Sequence, residues 1–429
     1  MSESRISRRK YLKYVGGLAA AAVAAGAGYS IYQTSQPAPG PTLTTTQKST
    51  APGKPIRIGV TSGLTGLDSQ VIHTATIPQD MWAEQVNSHG GLLGRPVEWV
   101  RYDDKADTSF CAVLYEKLIM EDKVDLLFSP FGTGVTHAAV PIADKHGMVI
   151  ISTVTLSEEL NKAGFKHHFC VWPTGTDVYR NYLQEIFNVL ETVPADERPK
   201  TMGIVTFDYE ANQGMRRSMK EYWAPKYGID VVLDEVYPDP TIDFTPTLSK
   251  VKAANPDFFF ANTMIPDCFG VFRAAKQVDF NPKLAFNGVG MQYPGIRKDL
   301  GDAAQHVFFP GIWMPVAPWT KAPGCTEFMD EYAKRAGEEA TYAAAATWVG
   351  LQILQKAVED TQSLDQEKLR EYLSTTRFDT LMGSQKFDAN GIAEYNCKLL
   401  QVFEGNAVCV GPANDKTQDP VYPRPKPWG

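Results

Sequence analysis

The chain has 429 residues; the first 54 carry seven Lys/Arg against one Asp/Glu, so the remaining 375 hold 35 positive and 48 negative charges, a net of −13 within the formal total of −7. An acidic body with 43% hydrophobic and 21% charged residues excludes global disorder, a multi-span membrane protein and non-specific nucleic-acid binding. At about 150 residues per domain it has room for two or three domains.

Residues 7–13 read Ser-Arg-Arg-Lys-Tyr-Leu-Lys and lead into an uncharged Ala/Gly-rich stretch. Paired arginines before a weakly apolar segment resemble a twin-arginine export signal, with Tyr11 where Phe is commoner. Val15 to Tyr32 is 18 residues, at the lower limit for a spanning helix, so both cleavage after Ala27 and retention as an anchor fit. Residues 33–54 are Ser, Thr, Pro or Gly at 14 of 22 positions and read as a flexible spacer. No cysteine lies near the signal, which argues against a lipoprotein anchor. The six cysteines, Cys111, Cys170, Cys268, Cys325, Cys397 and Cys409, contain no C-x-x-C, so zinc is not expected, and their pairing after export stays open.

From Pro55 the pattern alternates. Ile56 to Val60 is a β-branched strand ending in the turn Ser62–Gly66, helix-compatible sequence runs to Asn87, and Gly90–Pro96 forces a turn before the strand Val97–Tyr102. Phe110, Val113, Leu114 and Leu118 recur at helical spacing before the buried strand Asp125–Ser129; Val135, Ala138, Ala139 and Ile142 mark a helix before the strand Met148–Ser152. The alternation restarts with helical Tyr179–Leu190, strand Thr201–Thr206, helical Met215–Tyr222, strand Ile229–Val236, helix Leu248–Ala253 and strand Asp257–Phe260. Strands separated by helices of 10–15 residues predict parallel sheets covered on both faces, hence an α/β protein of two doubly wound lobes with a crossover near Trp172–Gly175.

In open α/β sheets ligands bind beyond the strands' carboxyl ends. Ser129-Pro130-Phe131-Gly132-Thr133-Gly134 is such a strand-turn-helix start, where free N–H groups and the Thr133 hydroxyl suit a carboxylate or another acceptor. The alternative is that Thr133 caps its own helix and the glycines serve only the turn.

Taken in order, Gly90-Gly91-Leu92-Leu93-Gly94-Arg95-Pro96-Val97, Tyr102-Asp103-Asp104, the turn at Thr133, Asp243-Phe244-Thr245 with Leu248, Val251-Lys252 and Pro256-Asp257, and Met382-Gly383 with Phe387-Asp388-Ala389-Asn390-Gly391 resemble one family over residues 55–411. It is the type I periplasmic solute-binding proteins of ABC importers, in the leucine/isoleucine/valine-binding branch. The resemblance implies two lobes, 55–174 with 312–380 and 175–311 with 381–411, joined by three hinge crossings and followed by a tail, 412–429. It also implies a monomer without cofactor or metal that closes on a small solute and is read by a membrane permease.

By the same resemblance the ligand carboxylate goes to Phe131-Gly132-Thr133, with help from Thr153 and Thr155. The family's Tyr-Gly pair in lobe two is replaced by Phe207-Asp208-Tyr209, making Tyr209 a displaced candidate. The acidic residue that pairs with the ligand ammonium falls in Phe286–Gln292, which holds Asn287 and no carboxylate. An unpaired buried ammonium costs several kcal/mol, so an amino-acid ligand requires Asp208 or Asp267 as substitute. Amides, urea-like compounds and aromatic or aliphatic carboxylates remain open. Met264, Met291, Tyr293 and Trp313 either line an apolar pocket or belong to the core.

No G-x-S-x-G, G-x-x-x-x-G-K-[ST] or H-E-x-x-H occurs, so no enzyme is expected. His167-His168 reads as a solvated pair on an edge strand, His73, His137 and His146 lack partners at metal spacing, and strand alternation separates Asp103 from Asp104. A tethered ligand-sensing ectodomain and a hydrolase on a similar scaffold are the other classes considered.

Overall fold

A computed structural model describes residues 53–66, 69–172, 177–238, 241–394 and 397–425. The arginine pair, the apolar segment, nearly all of the spacer, Pro173–Gly175 of the expected crossover and the last four residues lie outside the described residues.

Within residues 53–172 the elements are β1 (Ile56–Ser62), α1 (His73–Ser88), β2 (Val97–Asp103), α2 (Thr108–Met120), β3 (Leu126–Phe128), α3 (Thr133–Lys145), β4 (Ile150–Ser152), α4 (Glu158–Lys162) and β5 (His168–Cys170). Next come α5 (Val178–Glu191), β6 (Thr201–Phe207), α6 (Glu210–Ser218), β7 (Asp230–Tyr237), α7 (Thr245–Ala254), β8 (Phe258–Asn262), α8 (Ile265–Gln277), β9 (Leu284–Asn287) and β10 (Phe308–Gly311). The chain ends with α9 (Cys325–Ala336), α10 (Tyr342–Thr361), α11 (Gln366–Thr375), β11 (Arg377–Thr380), β12 (Gly383–Lys386), β13 (Lys398–Phe403) and β14 (Asn406–Gly411).

These elements form two compact units. Unit 1 takes the described residues up to Trp172, Ala343–Thr380 and Ser384–Glu394; unit 2 takes Asp177–Tyr342, Leu381–Gly383 and the described residues from Cys397 onward. Unit 1 holds a five-stranded sheet ordered β2-β1-β3-β4-β5, parallel throughout. Unit 2 holds seven strands ordered β14-β13-β10-β9-β8-β6-β7, in which β6 to β10 run parallel and β13 and β14 close one end antiparallel. The inner parallel strands are apolar runs buried on both faces, unlike the partly exposed edge strand β7: every residue of β8, Phe258 to Asn262, is buried, as are the three-residue strands β3 and β4.

The division differs from the expected one at three places. Residues 412–425, expected as a tail, belong to unit 2, where the Arg424 N–H donates to Lys283 O at 2.8 Å and Gln401 Nε2 to Val421 O at 2.9 Å. Residues 312–342 stay with unit 2, because Trp319 lies 3.3 Å from where a Cβ on Gly311 of β10 would stand and under Lys398 of β13 at 5.4 Å, and Tyr342 sets its ring edge-on to Tyr293 at 6.1 Å. Residues 384–394 join unit 1, because Ile392 pairs with Cys170: the Cys170 N–H donates to Gly391 O and the Ala393 N–H to Cys170 O. That pairing covers the outer edge of β5, which corrects the reading of His167-His168 as solvated: both are buried. His167 lies between Asp144 (3.1 Å) and Glu367 (2.8 Å), and His168 meets Ser152 (2.8 Å). All six cysteines are buried free thiols.

The Asn390-Gly391 turn depends on its glycine. Gly391 has φ +78°, and a Cβ there would sit 2.1 Å from the backbone oxygen of His168. Gly391→Ala is expected to lower stability by more than the ~1–2 kcal/mol of a left-handed backbone alone, because the clash adds to it. An unchanged urea midpoint would show that β5 does not need this close approach.

Candidate functional site

In unit 1 the turn from β3 to α3 places Gly132 at the N-cap with φ 101° and ψ 156°, a region essentially reserved for glycine, and no side chain caps the helix. Thr133 therefore does not cap its own helix. Instead its Oγ1 accepts the Leu156 N–H at 3.2 Å from the loop that follows β4. Two further contacts join the same helix to the same loop: Thr155 Oγ1 donates to Thr136 Oγ1 at 3.2 Å, and His137 Nε2 lies 2.7 Å from Ser157 Oγ. Thr136 in turn donates to Gly132 O at 2.7 Å, and Ser157 Oγ accepts the Leu160 N–H as the N-cap of α4.

The structure thus brings Thr133 and Thr155 into one polar cluster at the carboxyl ends of β3 and β4. Thr153, also buried, turns its methyl toward α10, where a Cβ on Gly350 would lie 2.8 Å from Thr153 Cγ2. Phe131 is half-buried in the turn itself. The Thr133 side chain is 7% exposed, and its hydroxyl proton has no acceptor among the described residues. An N–H into one lone pair bars the proton from that direction, so the rotor is narrowed before any acceptor arrives.

In unit 2 the corresponding strand ends carry Tyr209, Met264 and Asn287. Tyr209 is the N-cap of α6 and 37% exposed, and half-buried Met264 is the N-cap of α8; neither helix has a side-chain cap. Asn287 is fully buried, and its amide knits β8 to β9. Nδ2 donates to Ala261 O (2.9 Å) and Thr263 Oγ1 (3.0 Å), and Oδ1 accepts the Met291 N–H (2.9 Å). Both of its donors are spent inside unit 2. Met291 and Trp313 are core residues at 0% exposure. Of the two carboxylates considered as counter-charges, Asp208 accepts from Gln213 Nε2 at 2.9 Å, and Asp267 accepts from Tyr237 Oη at 3.1 Å. Burial first, then Asp267, pushes the Tyr237 hydroxyl far above its ordinary pKa, so it stays a donor.

Thr136, His137 and Ser157 were missed in the sequence. Their signal was present: Thr133, Thr136 and His137 stand at i, i+3 and i+4 of a helix, opposite a polar run at Thr155 and Ser157.

Two successive doubly wound α/β units, one all-parallel and one closed by an antiparallel pair, define the type I periplasmic binding class of architecture. The chain belongs to the periplasmic binding protein family, whose model matches residues 55–407. It is similar to the Leu/Ile/Val-binding protein homolog 7 of Brucella abortus, 23% identical over 346 residues that cover 77% of this chain and 84% of the relative. A leucine-, isoleucine-, valine-, threonine- and alanine-binding protein of Pseudomonas aeruginosa is 23% identical over 337 residues, covering 78% and 86%. Among solved structures, a branched-chain amino acid transporter substrate-binding protein of Streptococcus pneumoniae in complex with isoleucine superposes with a TM-score of 0.71 at 20% identity, over 82% of this chain and 98% of that one. A solute-binding protein from R. palustris in complex with benzoate gives a TM-score of 0.71 at 17% identity, over 85% and 98%. At these identities the structural likeness speaks for the fold.

Beside the cluster, His168 is buried with Ser152 as partner, and burial, reinforced by nearby His137 and opposed by Asp144, pushes its pKa down to about 3. An unfolded histidine binds its proton near 6.5. The neutral ring therefore contributes stability fully above about pH 6.5, and that contribution, on the order of several kcal/mol, is lost as pH falls toward about 3. Urea midpoints across this window should fall less steeply for His168→Gln than for the natural chain. Parallel pH profiles would show that His168 is not the group responsible.

Proposed function

We propose that the protein is the extracytoplasmic solute-binding component of an ABC importer, capturing a small carboxylate-bearing solute of the branched-chain amino acid type and delivering it to a membrane permease as a monomer. The observation that carries this reading is the buried Thr133 hydroxyl, oriented by the Leu156 N–H, beside a helix start without a side-chain cap. Such a group donates to a carboxylate oxygen without having to be reoriented, and the helix dipole favours the negative charge. The names of the curated relatives support the amino-acid class. Binding without turnover is part of the reading: calorimetric heat with no product over the same incubation is the expected result.

A second reading, a small aromatic or aliphatic acid without an ammonium group, is favoured by the engagement of Asp208 with Gln213 and of Asp267 with Tyr237. Calorimetry with isoleucine and benzoate separates the two. If an ammonium is paired by Asp267, Asp267→Asn should weaken isoleucine at least about tenfold, the scale of breaking a buried ion pair, and leave benzoate unchanged. Benzoate binding with no isoleucine binding selects the second reading.

For either solute, Thr133→Val should cost about 1–3 kcal/mol, roughly 5- to 150-fold in affinity. It also leaves the Leu156 N–H without its acceptor, so melting temperature falls as well. Thr133→Ser keeps the hydroxyl and should restore both. Unchanged affinity with lowered melting would reduce Thr133 to a structural role.

Export through the twin-arginine route is part of the same proposal, with residues 15–32 cleaved or kept as a tether. Six buried free thiols support it, since the fold requires no oxidation before it is complete. Replacing Arg8 and Arg9 with Lys should trap the precursor inside the cell, and normal export of that variant would refute the route.

A further inference from the structure

The three contacts between α3 and the loop after β4 leave one helix face and reach three consecutive residues, Thr155, Leu156 and Ser157. They are not equal. The hydroxyl contact of Thr155 and the Leu156 contact are both 3.2 Å, whereas His137 Nε2 to Ser157 Oγ is 2.7 Å. Ser157 is fully buried, as Thr155 is, and is in addition committed as the N-cap of α4 through the Leu160 N–H. Its hydroxyl carries a single proton, and its oxygen accepts Leu160. Whichever of the two atoms donates, the contact between His137 Nε2 and Ser157 Oγ ties α3 to the start of α4.

We infer that His137 is a positioning residue for the solute site: through Ser157 it holds residues 155–157 at the height where the Leu156 N–H reaches Thr133 Oγ1. This rests on the assignment of the solute carboxylate to Thr133. The chain of effect is short. His137 sets Ser157, Ser157 sets the preceding peptide, and the Leu156 N–H then orients the Thr133 hydroxyl toward an incoming acceptor. Remove the ring, and the Leu156 contact must hold the loop with one fewer anchor, so the restriction on the Thr133 hydroxyl proton is weakened while Thr133 stays in place on its helix. His137 itself does not touch the solute in this account.

The test uses the exported full-length protein with His137→Ala and His137→Gln, since a Gln side-chain amide both donates and accepts and can reach Ser157. Amide hydrogen exchange, read without any solute, should be at least tenfold faster at Leu156 and Leu160 in His137→Ala and close to natural in His137→Gln. Affinity for isoleucine and benzoate, whichever binds the natural protein, should fall about 5- to 30-fold in His137→Ala and recover in His137→Gln. Unchanged exchange at Leu156 in the Ala variant overturns the inference, and so does faster exchange with undiminished affinity, which would make the contact purely structural. Failure of the Gln variant to rescue either readout also counts against it. If the natural protein binds neither probe, the solute assignment fails while the exchange arm still decides whether His137 orders the loop. A loss of affinity in Thr133→Val without one in His137→Ala leaves the assignment standing and removes His137 from it.

Discussion

A parallel sheet covered on both faces has no water along its length, so every backbone and side-chain polar group there must be paired within the protein. Only where strands end and helices begin are donors available to anything else. That constraint governs both units. The apolar runs of β3, β4 and β8 admit no usable polar group along their length, and the chain's chemistry is displaced to the turns that follow them.

The two units treat these turns differently. In unit 2 the strand-end amides are consumed internally: Asn287 ties β8 to β9, and Asn262 exchanges hydrogen bonds with Asn212, donating to its carbonyl at 2.7 Å and accepting from its Nδ2 at 3.1 Å. These groups make a rigid platform and leave Tyr209 and Met264 at the uncapped helix starts. In unit 1 the hydroxyls are linked but not exhausted. Thr133 accepts and keeps its proton, while Thr136 and Thr155 pass theirs along to Gly132. A group held in place with an unspent donor is what recognition of an acceptor requires, because the entropy of orienting it has already been lost on folding.

Much of this was legible in the sequence. The alternation of β-branched runs with helical spacings locates β1 to β4 and β6 to β8 to within two residues or so, because periodicity is a local property. The turn at Gly132 was legible because only glycine tolerates that backbone. What escaped depends on contacts between distant parts of the chain. The burial of His167 and His168 follows from a strand edge covered by residues more than two hundred positions later. The placement of 312–342 follows from Trp319 packing at Gly311 of β10, and the consumption of Asn287 from its neighbours at 261 and 263 across the β8–β9 pair. His137 illustrates the limit most clearly: judged by metal spacing it has no role, while its partner is a serine twenty residues away.

The account's central claim is that the solute's carboxylate is held by the oriented hydroxyl of Thr133. A crystal structure with the tighter-binding of isoleucine and benzoate tests it most directly. The account predicts a carboxylate oxygen at hydrogen-bond distance from Thr133 Oγ1, about 2.5–3.0 Å, with the Leu156 N–H still donating to that oxygen atom. A bound solute whose carboxylate lies elsewhere, with Thr133 Oγ1 beyond about 4 Å from any of its acceptors, would contradict it.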